Sequence, residues 1–168
     1  MRLSALFESA QIKDVGVFIP LPADLSKQYP NTSEDKSPKH ISVLIIGDIE
    51  QKQKGEIIKT IKKVCLSYKP IEIFVDGTAY FTNNDGEEVA HSMVEAQSLA
   101  ALSRDIWDAV MRLGVNVDHS YPDYTPHITL QYGNKRDYDG PVPKGHFAVK
   151  EVEIWSGGKT IDTARLQK

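Results

Sequence analysis

Two short stretches place an imidazole and a hydroxyl at matching spacing: His40-Ile41-Ser42-Val43 and His127-Ile128-Thr129-Leu130. They lie 87 residues apart. In a β-strand, residues two apart project from the same face. Each stretch therefore sets a ring nitrogen beside a hydroxyl on one face of a strand. If the two strands lie near each other, two imidazoles and two hydroxyls surround a single point. An unperturbed imidazole titrates near pH ~6.5, so neutral and protonated rings coexist close to neutrality. One ring can take a proton while the other gives one, and the hydroxyls can donate to oxygens on which negative charge grows. That chemistry suits a phosphate ester. The other histidines lack the pattern: two residues on from His91, His119 and His146 come Met93, Tyr121 and Ala148.

Each motif follows a Pro-containing segment and enters a strand-like run. The first, His40–Ile46, is nearly continuous in apolar residues and reads as a buried central strand. Val15–Pro20 precedes it as a strand. Between the two, 22–39 is rich in Pro, Ser, Asp and Lys, with a turn of helix expected over 24–29. A loop of this length reads as a binding lid or as a surface connector. Residues 1–14 are expected to hold a short amphipathic turn using Leu3, Leu6 and Phe7.

Two long helices follow from periodicity of about 3.6 residues. Gln51–Tyr68 turns Ile57, Ile58, Ile61, Val64, Cys65 and Leu66 inward and its lysines outward. Gln97–Leu113 turns Leu99, Leu102, Ile106, Trp107, Val110 and Leu113 inward and stops at Gly114. Further strands are expected at Ile71–Val75, Thr78–Thr82 beyond a break at Gly77, Glu88–Glu95, Phe147–Trp155 and Thr160–Leu166. Asn84-Asp85-Gly86 and Gly157-Gly158 are hairpin turns. The expected fold is α+β: a single domain, 1–168, of two pseudo-repeated lobes of antiparallel sheet with outer helices and a central groove.

Composition bounds the function. The chain has 168 residues, a formal charge of −3 and one cysteine. The acidic balance argues against a tight binder of long duplexes, whereas a nucleotide or a few nucleotides of single strand needs only a local positive patch. One cysteine excludes a disulfide scaffold and a multi-cysteine zinc site, and Cys65 falls on an apolar helical face as a small core residue. No apolar run approaches the ~20 residues of a membrane span, and 1–8 lacks the apolar core of a signal peptide, so the expected location is the cytoplasm. Two histidines with no carboxylate at matching spacing make a poor metal site. No metal, cofactor or membrane partner is expected, and a monomer is favoured.

The paired motif, its order and its spacing resemble the 2H phosphoesterase superfamily, marked by two His-x-Thr/Ser motifs each followed by a hydrophobic residue. The resemblance runs from about Val15 to Leu166. The superfamily includes bacterial LigT-like RNA ligases and cyclic phosphodiesterases, RNA-end processing enzymes, and phage anti-CBASS nucleases that destroy cyclic nucleotide signals. It implies a metal-free phosphodiesterase with His40, Ser42, His127 and Thr129 as its catalytic residues, acting on a nucleotide or short RNA-like substrate. Which histidine is base and which acid stays open, because the motif is pseudo-symmetric. Ser42 stands where Thr is commoner and loses the β-branch that stiffens the hydroxyl. Short length, acidity and Tyr-rich loops favour the signal-destroying members; end processing and a catalytically silent nucleotide-sequestering module are the rivals.

Aromatic faces stack on bases, and Tyr29, Tyr121, Tyr124, Tyr132 and Trp155 are the candidates for substrate grip. Tyr29 is placed to close over a base from its loop. Lys39 is expected to point away from His40, Lys135 and Arg136 to form a solvated turn, and His91 and His119 to be ordinary.

Overall fold

The computed structural model describes residues 10–30, 38–117 and 124–168. The expected turn at Leu3–Phe7, the middle of the 22–39 loop, His119 and Tyr121 lie outside them.

Eight strands form two antiparallel sheets. The strands are β1 (Gln11–Pro20), β2 (His40–Glu50), β3 (Ile71–Thr82), β4 (Glu88–Glu95), β5 (His127–Tyr132), β6 (Gly145–Val149), β7 (Glu151–Ser156) and β8 (Lys159–Arg165). The first sheet has the order β2-β1-β7-β8 and the second β5-β4-β3-β6. Helices are α1 (Ala23–Ser26, one turn), α2 (Lys54–Cys65) and α3 (Leu99–Met111), with a 3-10 turn at Gln51–Gln53 leading into α2. The α+β class and the two antiparallel lobes agree with the sequence expectation.

One hydrophobic core joins the lobes. Val17, Ile41 and Ile154 from the first sheet, Ile73, Ile128 and Leu130 from the second, and Ile57, Ile61, Leu102 and Ile106 from the helices are all at most 1% exposed. Helix α2 packs on α3 and on β8, and α3 packs on β2. Cys65 is a free thiol with no exposed surface, and burial pushes its pKa up to about 12. Leu66, expected on the inward face of α2, is 49% exposed, because the helix ends at Cys65 and the chain turns away.

Four strand expectations are corrected. β2 is an edge strand, not a central one; Ile41, Val43, Leu44 and Ile46 of its apolar run are buried because α3 covers one side and β5 approaches its free edge, while Ile45 is exposed. β2 continues through Gly47 (φ 96°) to Glu50. Gly77 does not break β3; it takes φ 73° as the extra residue of a bulge between Asp76 and Thr78, a role open to glycine without steric cost. Finally, 147–155 is not one strand. β6 pairs with β3 in one sheet and β7 with β1 in the other, so the chain changes sheets at Lys150. Both halves are apolar, and periodicity alone does not reveal that they face different partners.

The two motif strands share more than their sequence. Gly16, Val17, Phe18, Ile19 and Pro20 of β1 face Ile45, Leu44, Ser42, Ile41 and His40 of β2. Val89, Ala90, His91, Ser92 and Met93 of β4 face Tyr132, Gln131, Thr129, Ile128 and His127 of β5. Position for position the registers are the same. Each skips one residue immediately after the hydroxyl, Val43 in β2 and Leu130 in β5. Such a bulge flips the face alternation and bends the strand. Val43, Leu44 and Leu130 are accordingly buried while His40, Ser42, His127 and Thr129 remain half-buried.

An edge strand with a bulge leaves backbone groups outside the ladder, and buried ones must find partners. Ser103 of α3, itself buried, donates from Oγ to the Val43 carbonyl at 2.6 Å. Replacing Ser103 by Ala strands that carbonyl. The expected loss is about 1–3 kcal/mol of stability, read as a lower urea midpoint at unchanged m-value, whereas Ser103→Thr retains most of it.

Candidate active site

His40 enters β2 and His127 enters β5, the two edge strands that approach each other across the groove. The side chains of His40, Ser42, His127 and Thr129 all line one cavity of about 820 Å³.

Each imidazole is held by the same local bond. His40 Nδ1 lies 2.6 Å from the carbonyl oxygen of Pro38, and His127 Nδ1 lies 2.9 Å from that of Thr125. A carbonyl only accepts, so each Nδ1 carries the hydrogen and donates it. The tautomer is thereby set, and Nε2 of each neutral ring keeps its lone pair free for proton exchange. The partner in both cases is two residues back, in the proline-containing lead-in.

Each ring is also backed by a pair of aromatic rings. Phe18 and Trp155 stack at 4.5 Å between centroids, and both meet His40 edge-on at 5.1 Å. Phe81 and His91 lie 5.1 and 5.3 Å from His127. Burial is the main cause holding the His127 pKa below its ordinary 6.5; its bond to Thr125 opposes this, and the neighbouring His91 and His40 add to the lowering.

The motif strands clasp each other through their backbones. Tyr124, three residues ahead of His127, donates its hydroxyl to the Ser42 carbonyl at 2.9 Å. Lys39, one residue ahead of His40, reaches the Thr129 carbonyl with Nζ at 3.5 Å. Ser42 and Thr129 are equivalent positions in the two registers, so each lead-in segment holds the strand of the other lobe. Burial raises the Tyr124 pKa beyond the ordinary phenol range, so the hydroxyl stays a donor.

The residues expected to grip a base separate into two groups. Tyr132 lines the cavity and is 44% exposed, leaving its ring available. Tyr124 also lines the cavity, but its hydroxyl is committed to the strand clasp. Trp155 is 3% exposed and stands behind His40, its indole N–H donating to Glu153 at 2.9 Å; it is a wall for the imidazole and not an open face. Tyr29 is not a lid. It is 7% exposed, shares a 2.8 Å hydrogen bond with Ser92 Oγ, and has its pKa pushed up to about 12, chiefly by burial.

Several cavity residues were not expected from sequence, Lys39, Phe81 and His91 among them. Lys39 lines the cavity because it precedes β2 and escapes the strand's alternation. Phe81 and His91 reach it because their strands pair in sequence order behind β5. No linear pattern marks them. Strand pairing does mark His91, which stands opposite Thr129. Arg136 pairs with Glu88 at 3.1 Å and does not line the cavity, nor does Lys135. Among the described residues, none that lines the cavity is acidic; its charged or chargeable groups there are Lys39 and three histidines, apart from the tyrosines. In a chain of net charge −3, this is a local environment suited to an anion. Among the described residues no group of three or more His, Cys, Asp or Glu is gathered as for a metal ion, and no helix is long and apolar enough to cross a membrane.

Solved structures share this architecture. A phosphoesterase superposes with a TM-score of 0.72 at 16% identity, over 94% of this chain and 99% of that one. E. coli LigT complexed with 3'-AMP gives 0.72 at 15% identity, over 94% and 99%. The PDE domain of MHV ns2 gives 0.54 at 14% identity, over 86% and 98%. At these identities the likeness is one of fold. The sequence itself matches the model of the 2'-5' RNA ligase superfamily over residues 22–157, a span that takes in both motifs. With that match over most of its length, the chain belongs to the 2'-5' RNA ligase superfamily of 2H phosphoesterases, enzymes that act on phosphodiester bonds.

Proposed function

We propose that this protein cleaves phosphodiester bonds of nucleotides by metal-independent general acid–base catalysis, with His40, Ser42, His127 and Thr129 as its catalytic residues. The observation that carries the reading is the pair of Nδ1-anchored imidazoles, each beside a hydroxyl, lining one cavity that has no carboxylate among the described residues. E. coli LigT, of the same fold, has been crystallised with phosphate, ATP, NADP+ and 3'-AMP, which supports a nucleotide as the ligand class here.

His127 is the base in this reading. Burial disfavours its charged form, so its Nε2 is a free acceptor near neutral pH and takes the proton of the nucleophile. That nucleophile is water for a 2',3'-cyclic phosphate, or the neighbouring ribose hydroxyl for an intact 3'–5' linkage. His40, protonated, gives its Nε2 proton to the leaving oxygen. Ser42 and Thr129 donate to the non-bridging oxygens, and Lys39 lends positive charge beside Thr129. Of the expected grip residues that are described, Tyr132 is the one whose face is both open and in the cavity.

For the substrate, a cavity of about 820 Å³ and an acidic chain suit a compact signal such as a cyclic dinucleotide or trinucleotide, as cleaved by phage anti-CBASS enzymes. The family match supports a second reading, processing of RNA ends carrying 2',3'-cyclic phosphate or 2'–5' linkages.

Incubation with 3'–5' cyclic dinucleotides, cyclic trinucleotides and a 2',3'-cyclic mononucleotide, in EDTA, is expected to give products by chromatography from the cyclic oligonucleotides. Products from the last alone would select end processing, and binding without products would leave a sequestering module. On the turned-over substrate, His40→Ala and His127→Ala are each expected to lower kcat by roughly 10²–10⁴, and Ser42→Ala or Thr129→Ala by roughly 10²–10³, with folded circular-dichroism spectra. Near-full activity in either histidine variant refutes the mechanism. The base must be neutral, so kcat/KM falls as pH drops through the His127 pKa. Because that pKa is lowered from 6.5, the acid limb of the pH–rate profile is expected to have its midpoint below 6.5; a midpoint above it removes His127 as the base.

A further inference from the structure

Superposing the two registers leaves one chemical difference beside the hydroxyls. Phe18 faces Ser42 in the first lobe, and His91 faces Thr129 in the second. Both residues line the cavity, so an apolar ring in one lobe is an imidazole in the other.

His91 is not placed as a solvated surface histidine. It is 7% exposed, it lines the cavity, and its ring lies 5.3 Å from that of His127 and 5.4 Å from Phe81. Its Nδ1 sits 3.1 Å from the Ser92 carbonyl oxygen, so that nitrogen carries the hydrogen. Burial holds its pKa below the ordinary value, against the raising effect of that bond. The neutral ring then has one polar atom left, Nε2, and it is an acceptor only. No group among the described residues bonds it. That atom is not sealed off but opens on the cavity, where it offers an acceptor that a phenylalanine at this position, as in the first lobe, lacks.

An acceptor cannot receive a hydrogen bond from an ionised phosphate oxygen. Its partner on the substrate must carry O–H or N–H. If phosphate is held by the hydroxyls of Ser42 and Thr129, the nearest such group is the sugar hydroxyl vicinal to the phosphate-bearing carbon, and His91 stands directly across from Thr129. Resting on the function proposed above, we propose that His91 is a specificity residue whose Nε2 accepts a hydrogen bond from the ribose 2'-hydroxyl next to a bound 3'-phosphate, a complex in which that hydroxyl is no longer the nucleophile that His127 deprotonates.

The test is a calorimetric titration of wild type, His91→Phe and His91→Gln with 3'-AMP and with 2'-deoxy-3'-AMP. Wild type is expected to bind the ribonucleotide roughly 3–10-fold more tightly, the range of one neutral hydrogen bond. In His91→Phe, which installs the ring the equivalent position of the other lobe already accommodates, that ratio is expected to fall to about one, with affinity for the deoxynucleotide changed less than about twofold. His91→Gln keeps an acceptor and is expected to retain a clear preference for the ribonucleotide, which separates lost recognition from lost folding. A wild-type ratio preserved in His91→Phe overturns the role of His91 and leaves the proposed function standing, as does an equal loss of both nucleotides, which would point to a contact with the base. Failure of wild type to bind either nucleotide overturns both.

Discussion

The site depends on two edge strands that meet without forming a sheet. β2 and β5 each end their own ladder, and each carries a bulge directly after its hydroxyl residue. Unpaired backbone groups at an edge are a liability, to be bonded or covered. Here the bonding does the positioning. Ser103 takes the carbonyl of the bulged Val43, Tyr124 takes that of Ser42, and Lys39 reaches that of Thr129. Two of these contacts originate in the segment that delivers the opposite histidine. Backbone satisfaction and lobe-to-lobe alignment are therefore one set of interactions.

Within that frame the imidazoles owe their orientation to short-range geometry and their electrostatics to depth. Both Nδ1 atoms donate to a carbonyl two residues back, so the tautomer does not depend on which lobe holds the ring. The surroundings do differ. Trp155 and Phe18 wall His40, whereas Phe81 and another imidazole, His91, wall His127. A repeated motif thus becomes a chemically unequal pair, which is what transfer of a proton from one side and to the other requires.

Fold similarity at 14–16% identity has a plain physical basis. The core asks for apolar side chains at strand and helix periodicity with about the right volume, and many sequences satisfy that. Ile41, Val43, Ile128 and Leu130, which flank the motif hydroxyls, are such positions, each fully buried. Ser42 and Thr129 between them stay half-buried and line the cavity.

Much was legible in the chain itself. Period-2 and period-3.6 apolar patterns located the helices and most strands, the Asp-Gly and Gly-Gly turns marked hairpins, and the repeated His-Ile-Ser/Thr tetrapeptides marked two strands with matched faces. These are local features, set by dihedral preference and by which face of an element must be apolar. Strand partners were not legible. That β2 is an edge, that β6 and β7 belong to different sheets, and that Gly77 makes a bulge all depend on pairing between distant segments. So do the burial of Tyr29 and Trp155, the committed hydroxyl of Tyr124, and the arrival of His91 and Lys39 in the cavity. The sequence by itself determined which residues could do chemistry and on which face of a strand they stand. The tertiary structure decided what faces them, because the hydrogen-bonding and desolvation that set a side chain's role come from neighbours that are far away along the chain.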